Sequence, residues 1–503
     1  MSLNLIIDPW IPATMRDGSV CVIAPWRIAD PDVIALAWDR PDFDVACLEF
    51  LIGLIYLVDP PTDDEDWEER EAPDADRLRA RLLAVASAFN LLGDGPLFLQ
   101  DLEPLEGALN SPDMLFIDSA GEATEKNNAD LMVHRARYVS LAPATAAMAL
   151  YTFQAFAPSG GAGNRTSMRG GGPLVTLVDP RRGGDGLWPL IWANVPCGQP
   201  SDVHALPWMR ETVVSKGGEK VWPPTDRDVA VETFFDMPRR LRLMTDGDGN
   251  VAGVVQRPHG NNYAGWVHPL SPYYRMKVGG ELLPQHPRPG LFGYRHWLGT
   301  VAANPDGEMG GLRLRAATVR GWHERSQGRP AEVIVAGWAM SNMKPLDFTW
   351  SVAPLVQLPA TAALMLSGLV EAASVWALAL RHNLAPVLGE GEARETVREA
   401  FFSLTQGAFE SRLAALQAGE EPGAVTHQWL VETRAVALHL FDEQALAGLP
   451  DRTPEQQQAI IQARRFLLAS FAGHGTYGKQ AFAALQMQPV SHGTAQQTEE
   501  VTA

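Results

Sequence analysis

Residues 157–173 form the most unusual stretch of the sequence, and we call them the glycine segment. Six glycines occupy the thirteen residues from 160 to 172. Each glycine costs backbone entropy on folding, so this number indicates a need for positive φ angles or for close approach of the backbone to another group. Free backbone amides beside two arginines, Arg165 and Arg169, suit the phosphates of a nucleic acid. The segment is therefore either a contact for a nucleic-acid backbone or groove, or a plain structural loop.

An enzyme is the alternative interpretation of the same segment. A Walker phosphate loop ends in Gly-Lys-Ser/Thr, but the segment contains no lysine, and the dinucleotide fingerprint requires a third glycine where Thr166 stands. The twelve histidines include no His-x-x-x-His pair, and no serine lies in Gly-x-Ser-x-Gly. His268 is expected to be a hydrogen-bonded core residue. A metal-dependent nuclease or nucleotide hydrolase is thus the weaker hypothesis, and we expect no catalytic residue, metal or cofactor.

The distribution of charge permits a polyanionic partner, although the chain as a whole carries a net charge of −18. Residues 1–132 hold 8 basic and 27 acidic residues (−19), residues 133–350 hold 24 and 17 (+7), and residues 351–503 hold 9 and 15 (−6). Because charges act over about 8 Å at physiological salt, a basic middle can bind phosphates between acidic flanks. A scaffold whose middle binds only protein neighbours is a third hypothesis.

The pattern of apolar residues predicts an α+β fold with two domains and a tail. Residues 1–352 show short strand-like runs separated by glycine and proline, typical of a large irregular mixed domain. Residues 353–490 change to helical spacing and predict a four-helix bundle. The breaks between its helices lie near 389–391, 419–423 and 448–452. Thr453-Pro454-Glu455-Gln456 predicts a helix start with a capping box, and residues 491–503 predict a disordered tail.

Helical spacing in the C-terminal region places apolar residues on one face of each helix. The clearest examples are Val397, Phe401, Leu404 and Ala408, and then Ile460, Ala463, Leu467 and Phe471. Residues 358–380 are almost long enough to span a bilayer, but they include Glu371 and lack a flanking basic cluster, so we expect a buried helix and no membrane. Three cysteines without ligand spacing, and no secretory leader, predict a reduced cytoplasm.

Four motifs along the chain carry a family resemblance. They are Asn4-Leu5-x-x-Asp8-x-Trp10-Ile11-Pro12, then Ser159 to Val178 with Arg169-Gly170-Gly171 and Pro173, then Trp266-x-His268-Pro269-x-Ser271-Pro272, and last Gly337-Trp338-x-Met340-Ser341-Asn342-Met343-Lys344. Together they resemble the CasA family, the large subunit of the type I-E CRISPR surveillance complex Cascade. The resemblance covers all but the tail, and the implied fold, an α+β domain followed by a four-helix bundle, agrees with the apolar pattern.

The resemblance implies a non-catalytic subunit of an RNA-guided antiviral complex. Such a subunit recognises the protospacer-adjacent motif (PAM) in target double-stranded DNA through the minor groove and wedges the strands apart to start R-loop formation. It also helps to recruit a helicase–nuclease. Its other partners are the guide RNA, which reads the remaining sequence by base pairing, and the other Cascade subunits. Because the minor-groove pattern is degenerate, we expect tolerance for several motif variants.

The resemblance also implies a set of nucleic-acid-binding residues. The family's glycine loop corresponds to Ser159, Gly160, Gly161, Ala162, Gly163 and Asn164, whose small side chains let backbone amides enter a groove about 6 Å wide. The family's basic finger is a lysine nine residues before the Trp-x-His-Pro motif, where this chain has Arg257. The wedge corresponds to Ser341, Asn342 and Met343, with Lys344 beside it. Arg165 and Arg169 complete the candidate set.

Two departures from the family pattern concern zinc. Family members often carry two Cys-x-x-Cys pairs that hold the metal. The first pair would fall at Ala142-Pro143-Ala144-Thr145, and the second near Thr245-Asp246-Gly247-Asp248-Gly249-Asn250. Because both pairs are missing together, we expect no zinc and a turn closed by Asp-Gly pairs. The loop at about 126–134 is expected to contact the other subunits or the 5′ handle of the RNA.

Overall fold

The computed structural model describes residues 3–119, 121–128, 136–161, 163–182, 184–277, 279–303 and 313–490. The chain divides into two compact units. Unit 1 consists of residues 1–291 and 310–355, and unit 2 consists of residues 292–309 and 356–503. Residues 1–352 are expected from the sequence to form one domain, whereas the structure groups residues 292–303 with the C-terminal helices. The predicted tail, residues 491–503, and Ala162 of the candidate set lie outside the described residues.

Unit 1 combines helices with short antiparallel strands. Its described helices are α1 (Pro41–Val58), α2 (Asp64–Glu69), α3 (Ala75–Leu83), α4 (Glu122–Lys126), α5 (Pro143–Phe156), α6 (Trp188–Ala193) and α7 (Ala317–Arg325). Its strands are β1 (Ile11–Met15), β2 (Val20–Ile23), β3 (Val33–Leu36), β4 (Leu109–Asn110), β5 (Val175–Asp179), β6 (Arg240–Thr245), β7 (Val251–Arg257), β8 (Tyr273–Tyr274), β9 (Leu283–Pro284), β10 (Arg313–Leu314), β11 (Glu332–Ser341) and β12 (Lys344–Pro354). The mixture of helix and sheet agrees with the expected α+β class.

Four small sheets organise these strands, and every pairing between them is antiparallel. The strand orders are β2-β1-β3, β10-β8-β9, β12-β11-β5 and β4-β7-β6. Two of these sheets matter for function. In the β4-β7-β6 sheet, Arg257 is the last residue of β7. The β12-β11-β5 sheet contains the β11–β12 hairpin, in which Ser341 pairs with Lys344.

The core of unit 1 forms around α1 and α5. Nearly every residue of α1 is buried, which explains why its sequence is apolar on all sides. The ring of Phe50 on α1 lies 5.6 Å from that of Tyr151 on α5 and 5.8 Å from that of Phe98, edge to face. Aromatic contacts of this geometry fix the position of α5. They thereby fix the point at which the glycine segment leaves the core, directly after Phe156.

Unit 2 is helical in the residues described from 356 onward. Its helices are α8 (Ala360–Asn383), α9 (Glu392–Gln417), α10 (Pro422–Ala445), α11 (Pro454–Ser470) and α12 (Gly475–Ala484). The predicted capping box is confirmed, because the Thr453 hydroxyl and the Gln456 side chain bond each other's backbone amides. The predicted fourth helix is instead two, α11 and α12, since Gly473 has a φ of +85° and ends the run. Leu404, expected on the apolar face of α9, is 56% exposed.

Helix α8 is long and apolar enough to cross a membrane, but two-thirds of its most apolar stretch is buried within the protein. The side chains of Leu369, Trp376 and Leu380 are fully buried. This burial is typical of the core helix of a helical unit, as the sequence analysis expected.

Residues 292–303 belong to this helical core as well. The ring of Tyr294 stacks on Phe409 of α9 at 4.3 Å, and its hydroxyl lies 2.8 Å from that of Thr405. Trp297 packs edge to face on Phe409 at 5.4 Å. Stacked aromatic rings at such distances contribute stability beyond the area they bury. This contact explains why a segment far from α9 in sequence belongs to unit 2.

Two glycines in unit 2 allow a matched test of helix packing. A Cβ on Gly368 of α8 would lie 2.2 Å from the carbonyl oxygen of Ala484 in α12, whereas one on Gly407 of α9 would meet nothing within 4 Å. We expect Gly368→Ala to lower the free energy of unfolding by about 1–3 kcal/mol because the backbones must move apart. Gly407→Ala is expected to raise it by up to about 1 kcal/mol. Thermal and urea unfolding measure both; equal effects would contradict the packing described here.

Candidate nucleic-acid interface

The glycine segment is a loop whose base is pinned in the core and whose middle faces solvent. The amide of Ser167 donates to the carbonyl of Ala157 at 3.1 Å, and that of Gly172 donates to Phe156 at 2.9 Å. Both bonds tie the far end of the segment back to the end of α5. Ser159, Gly160 and Gly161 are exposed between these anchors. The chain therefore presents backbone, with very little side chain, at this point of the surface.

Two glycines of the segment are required by close approach of other parts of unit 1. Gly163 has a φ of +86°, and a Cβ there would lie 2.5 Å from the imidazole ring of His259. Gly172 has a φ of +63°, and a Cβ there would lie 2.4 Å from the carbonyl oxygen of Trp338. L-residues rarely adopt such φ angles, and neither site has room for a side chain. The two contacts join the segment to the chain just after β7 on one side and to β11 on the other.

Arg257 lies beside the glycine segment. The amide of His259, two residues after Arg257, donates to the carbonyl of Gly163 at 2.9 Å. Two residues span about 7 Å of extended chain, so the start of the Arg257 side chain lies within that distance of the bond. The side chain is exposed and forms no ion pair with any described carboxylate. An exposed arginine with a long, flexible side chain thus lies two residues from the point where the chain meets the glycine segment.

Arg165 and Arg169 are both hydrogen-bonded within the protein, and the burial of Arg169 contradicts its expected role as a nucleic-acid contact. The guanidinium of Arg165 donates to the hydroxyl and the carbonyl of Ser215 at 2.9 and 2.8 Å. Arg169 is 2% exposed and pairs with both carboxylate oxygens of Glu49 at 2.7 and 2.9 Å, and it also donates to Ser271. A buried, neutralised guanidinium cannot reach a phosphate without unfolding its surroundings. Arg169 is therefore a folding residue, and Arg165 chiefly an anchor.

The expected wedge is the tip of the β11–β12 hairpin. Ser341 pairs with Lys344 across a two-residue turn, in which Asn342 and Met343 have φ angles of +48° and +64°. Two successive positive φ angles define a type I′ turn, which asparagine adopts readily and methionine rarely. All four residues from 341 to 344 are exposed, whereas Trp338 in the stem is buried. The tip therefore projects from a well-packed base.

Three parts are expected at the interface: the glycine segment, Arg257 and the hairpin tip. Arg257 lies near the glycine segment, and the tip lies further from it. The His259–Gly163 hydrogen bond joins the chain two residues after Arg257 to the glycine segment. The hairpin contacts the other end of the segment through Trp338 and Gly172. Asn342 follows Trp338 by four residues, so the tip lies about 13 Å further along the direction of β11.

Sequence reasoning missed Arg239, which lies under the exposed part of the segment. Its guanidinium donates to the carbonyl of Pro158, and a Cβ on Gly160 would lie 2.8 Å from its Nη1. Burial lowers the pKa of Arg239 to about 10. In the sequence it is one of two adjacent arginines, and only the fold distinguishes it from Arg240, which forms an ion pair with Asp101 at 2.6 Å.

The sequence of this chain matches a known protein family. The family model of the CRISPR-associated protein Cse1 matches residues 4–440. The chain belongs to the Cse1 family. Solved structures of this family are similar to this chain in fold. CasA (Cse1) of Thermus thermophilus has 20% sequence identity to this chain and a TM-score of 0.69, over 92% of this chain and 98% of that one. Cse1 of Acidimicrobium ferrooxidans has 19% identity and a TM-score of 0.67, over 97% and 99%.

A chain of a CRISPR RNA-guided surveillance complex is also similar in fold to this Cse1-family chain. It has 15% sequence identity and a TM-score of 0.68, over 93% of this chain and 99% of that one. The likeness extends over nearly the whole of both chains.

The two segments where the resemblance located lost cysteine pairs are neighbours in this Cse1-family chain. Leu141, just before α5, and Val251, at the start of β7, exchange backbone hydrogen bonds of 2.8 and 2.9 Å. The carboxylate of Asp246 accepts from the amides of Asp248 and Asn250, both at 2.9 Å. Backbone pairing and an aspartate-capped turn thus hold the two segments side by side. Of the loop expected at 126–134, residues 129–134 lie outside the described residues.

The buried pair Arg169–Glu49 should be essential for the stability of unit 1. Arg169→Met leaves the Glu49 carboxylate buried without its partner, so we expect the free energy of unfolding to fall by about 3–5 kcal/mol. The exposed pair Arg464–Asp442, with both side chains about one-third exposed, is the control, and Arg464→Met should cost less than about 1 kcal/mol. Urea unfolding of the full chain measures both; similar losses would contradict a folding role for Arg169.

Asp236 should make stability depend on pH. Its carboxylate accepts from the amide of Met168 in the glycine segment at 2.7 Å, and burial raises its pKa to about 7, from 3.8 for the free side chain. The folded state binds this proton more tightly than the unfolded state. The resulting stabilisation is complete below about pH 4 and is lost as the pH rises through about 7. Relative to Asp236→Asn, the wild type should lose free energy of unfolding from about pH 4 to about pH 8; parallel curves would contradict this.

Proposed function

We propose that this chain is the non-catalytic large subunit of an RNA-guided DNA surveillance complex of the Cascade type. In this role it recognises the PAM in duplex DNA through the minor groove and opens the strands beside it. Membership of the Cse1 family and the fold likeness to a chain of an RNA-guided surveillance complex support the assembly. The observation that carries the DNA-binding part is the His259–Gly163 hydrogen bond, because it holds the chain just after Arg257 against the glycine segment.

The glycine segment has the dimensions that minor-groove reading requires. The groove is about 6 Å wide, and only thin structures can reach the base edges at its floor. Ser159, Gly160 and Gly161 are exposed and nearly free of side chain. Arg257 supplies a cation that can lie along the same groove, where the negative potential of the phosphates is concentrated. A thin stretch of backbone and one flexible arginine together favour a short, tolerant readout.

The hairpin tip suits the opening of base pairs. A wedge works by inserting an apolar or small polar side chain between base steps, at a cost of a few kcal/mol of unstacking. Met343 is 49% exposed at the tip, beside Asn342, and Lys344 can contact a phosphate nearby. The stem beneath is anchored because β11 pairs with β12 up to the tip and, over residues 332–336, also with β5. A stiff base lets the tip transmit force to the duplex.

The remaining parts of the proposal follow from family membership. The partners are the guide RNA, the other Cascade subunits and a helicase–nuclease recruited after target binding, all in the cytoplasm. We propose binding and no catalytic step, because the glycine segment lacks the lysine of a phosphate loop. Among the described residues no three His, Cys, Asp or Glu side chains are grouped to hold a metal.

Charge reversal of Arg257 tests the DNA-binding part directly. In the complex assembled with its guide RNA, Arg257→Glu should weaken binding to a motif-bearing duplex by about tenfold or more, since it removes one cation from the groove. Binding to a single-stranded target should be unchanged. Arg79→Glu, an exposed arginine on α3 that packs over Trp26, is the matched control. Equal losses on duplex and single strand would refute the role of Arg257.

Removal of the tip side chains tests the wedge. Replacing Asn342 and Met343 by glycines keeps the positive φ angles of the turn, so the hairpin should fold. We expect the variant complex to bind a motif-bearing duplex but to open it at least about tenfold more slowly, measured by fluorescence of 2-aminopurine placed beside the motif. A target with a preformed bubble at that position should restore the rate. Unchanged opening of the intact duplex would exclude the tip as the wedge.

A further inference from the structure

Arg239 is a buried cation without a counter-ion among the described residues. It is 4% exposed, yet none of the described carboxylates forms an ion pair with it. Its guanidinium lies over the ring of Phe153 at 5.1 Å, and its Nε is buried with no hydrogen-bond partner. With a pKa of about 10 it remains charged at neutral pH. The neighbouring buried arginine, Arg169, has its charge matched by Glu49.

A buried charge without a partner is costly unless another charged or hydrogen-bonding group compensates it. Desolvation of an ion costs several kcal/mol in a protein, and a partner charge or hydrogen bonds must compensate. Among the described residues, the guanidinium of Arg239 makes one hydrogen bond, to the carbonyl of Pro158, and the contact with Phe153. These two contacts leave the positive charge itself uncompensated.

The guanidinium lies directly behind the exposed part of the glycine segment. A Cβ on Gly160 would lie 2.8 Å from Nη1 and 3.3 Å from Nη2, so backbone alone separates the cation from solvent. The amides of Ser159, Gly160 and Gly161 donate no hydrogen bond to the rest of the described chain. Successive free amides form a concave site for an anion. The cation and the free amides therefore belong to the same short stretch of the loop.

We propose that Ser159–Gly161 and Arg239 form a binding site for one backbone phosphate of the target DNA duplex. The amides contact the phosphate oxygens, and the buried guanidinium supplies the counter-charge through the loop. This inference rests on the proposed function and adds to it a phosphate contact that fixes the register of the glycine segment on the duplex. The DNA duplex is favoured over the guide RNA because Arg257 is held beside the same loop.

The salt dependence of binding separates a phosphate contact from a merely structural role. Loss of one neutralised phosphate reduces the slope of log Kobs against log salt by about 0.9. In the assembled complex Arg239→Met should show this reduction, whereas Arg239→Lys should keep the slope. Arg79→Met is the matched control and should leave it unchanged. A weaker Arg239→Met complex with the wild-type slope would mean that Arg239 only supports the loop, and would overturn the proposal.

Neutral phosphates in the DNA give an independent measurement that does not depend on the folding of a variant. A methylphosphonate placed at successive positions of the duplex should weaken binding of the wild-type complex by about tenfold at one position in or beside the motif. The same substitution should cost the Arg239→Met complex little, because the contact is already lost. No sensitive position in the wild type, or an equal penalty in wild type and variant, would overturn the proposal.

The two proposals fail in different ways. If the complex does not prefer a motif-bearing duplex to one without the motif, the proposed function is wrong. If that preference is present but neither the salt slope nor the methylphosphonate penalty depends on Arg239, only the phosphate site is wrong. If methylphosphonates in the guide RNA, and none in the DNA, show the coupling to Arg239, the phosphate belongs to the RNA and the proposal as stated is wrong.

Discussion

The ion pair between Arg169 and Glu49 is the contact on which the candidate interface depends. It fixes the base of the glycine segment to α1 in the core of unit 1, and Ser271 joins the same guanidinium. Each charge is too costly to bury alone, so the two are held in one geometry. The amide of Met168, next to Arg169, is held in turn by Asp236. From this fixed base, the residues before Ser167 extend to the surface as a loop of defined shape.

Three arginines in and around the glycine segment differ in burial and in ion pairing, and these differences determine what each charge can do. Arg169 is buried and matched by a carboxylate, so its charge serves folding. Arg257 is exposed, so its charge is free for a ligand. Arg239 is buried and has no carboxylate partner among the described residues, so its charge lies unmatched behind the loop. Only the first two environments are common in soluble proteins.

Local features of the fold were predictable from the sequence, and features that depend on distant partners were not. The capping box at Thr453 and Gln456 needs four consecutive residues, and it is present as expected. Arg169 resembles a ligand-binding arginine in sequence because its partner, Glu49, is 120 residues away. Leu404 satisfies helical spacing but is exposed, since the width of the buried face depends on the neighbouring helices. Arg239 differs from the arginine next to it only in its tertiary surroundings.

The stacking of Tyr294 on Phe409 has a consequence for the order in which the protein matures on the ribosome. Residues 292–303 are synthesised before the β11–β12 hairpin, yet the ring that receives Tyr294 is made more than a hundred residues later. All of unit 1 is synthesised before α9, whereas unit 2 needs a segment that lies within the sequence of unit 1. The nascent chain must carry an unsatisfied aromatic segment until α9 emerges, and a chaperone that shields Tyr294 and Trp297 would act in that interval.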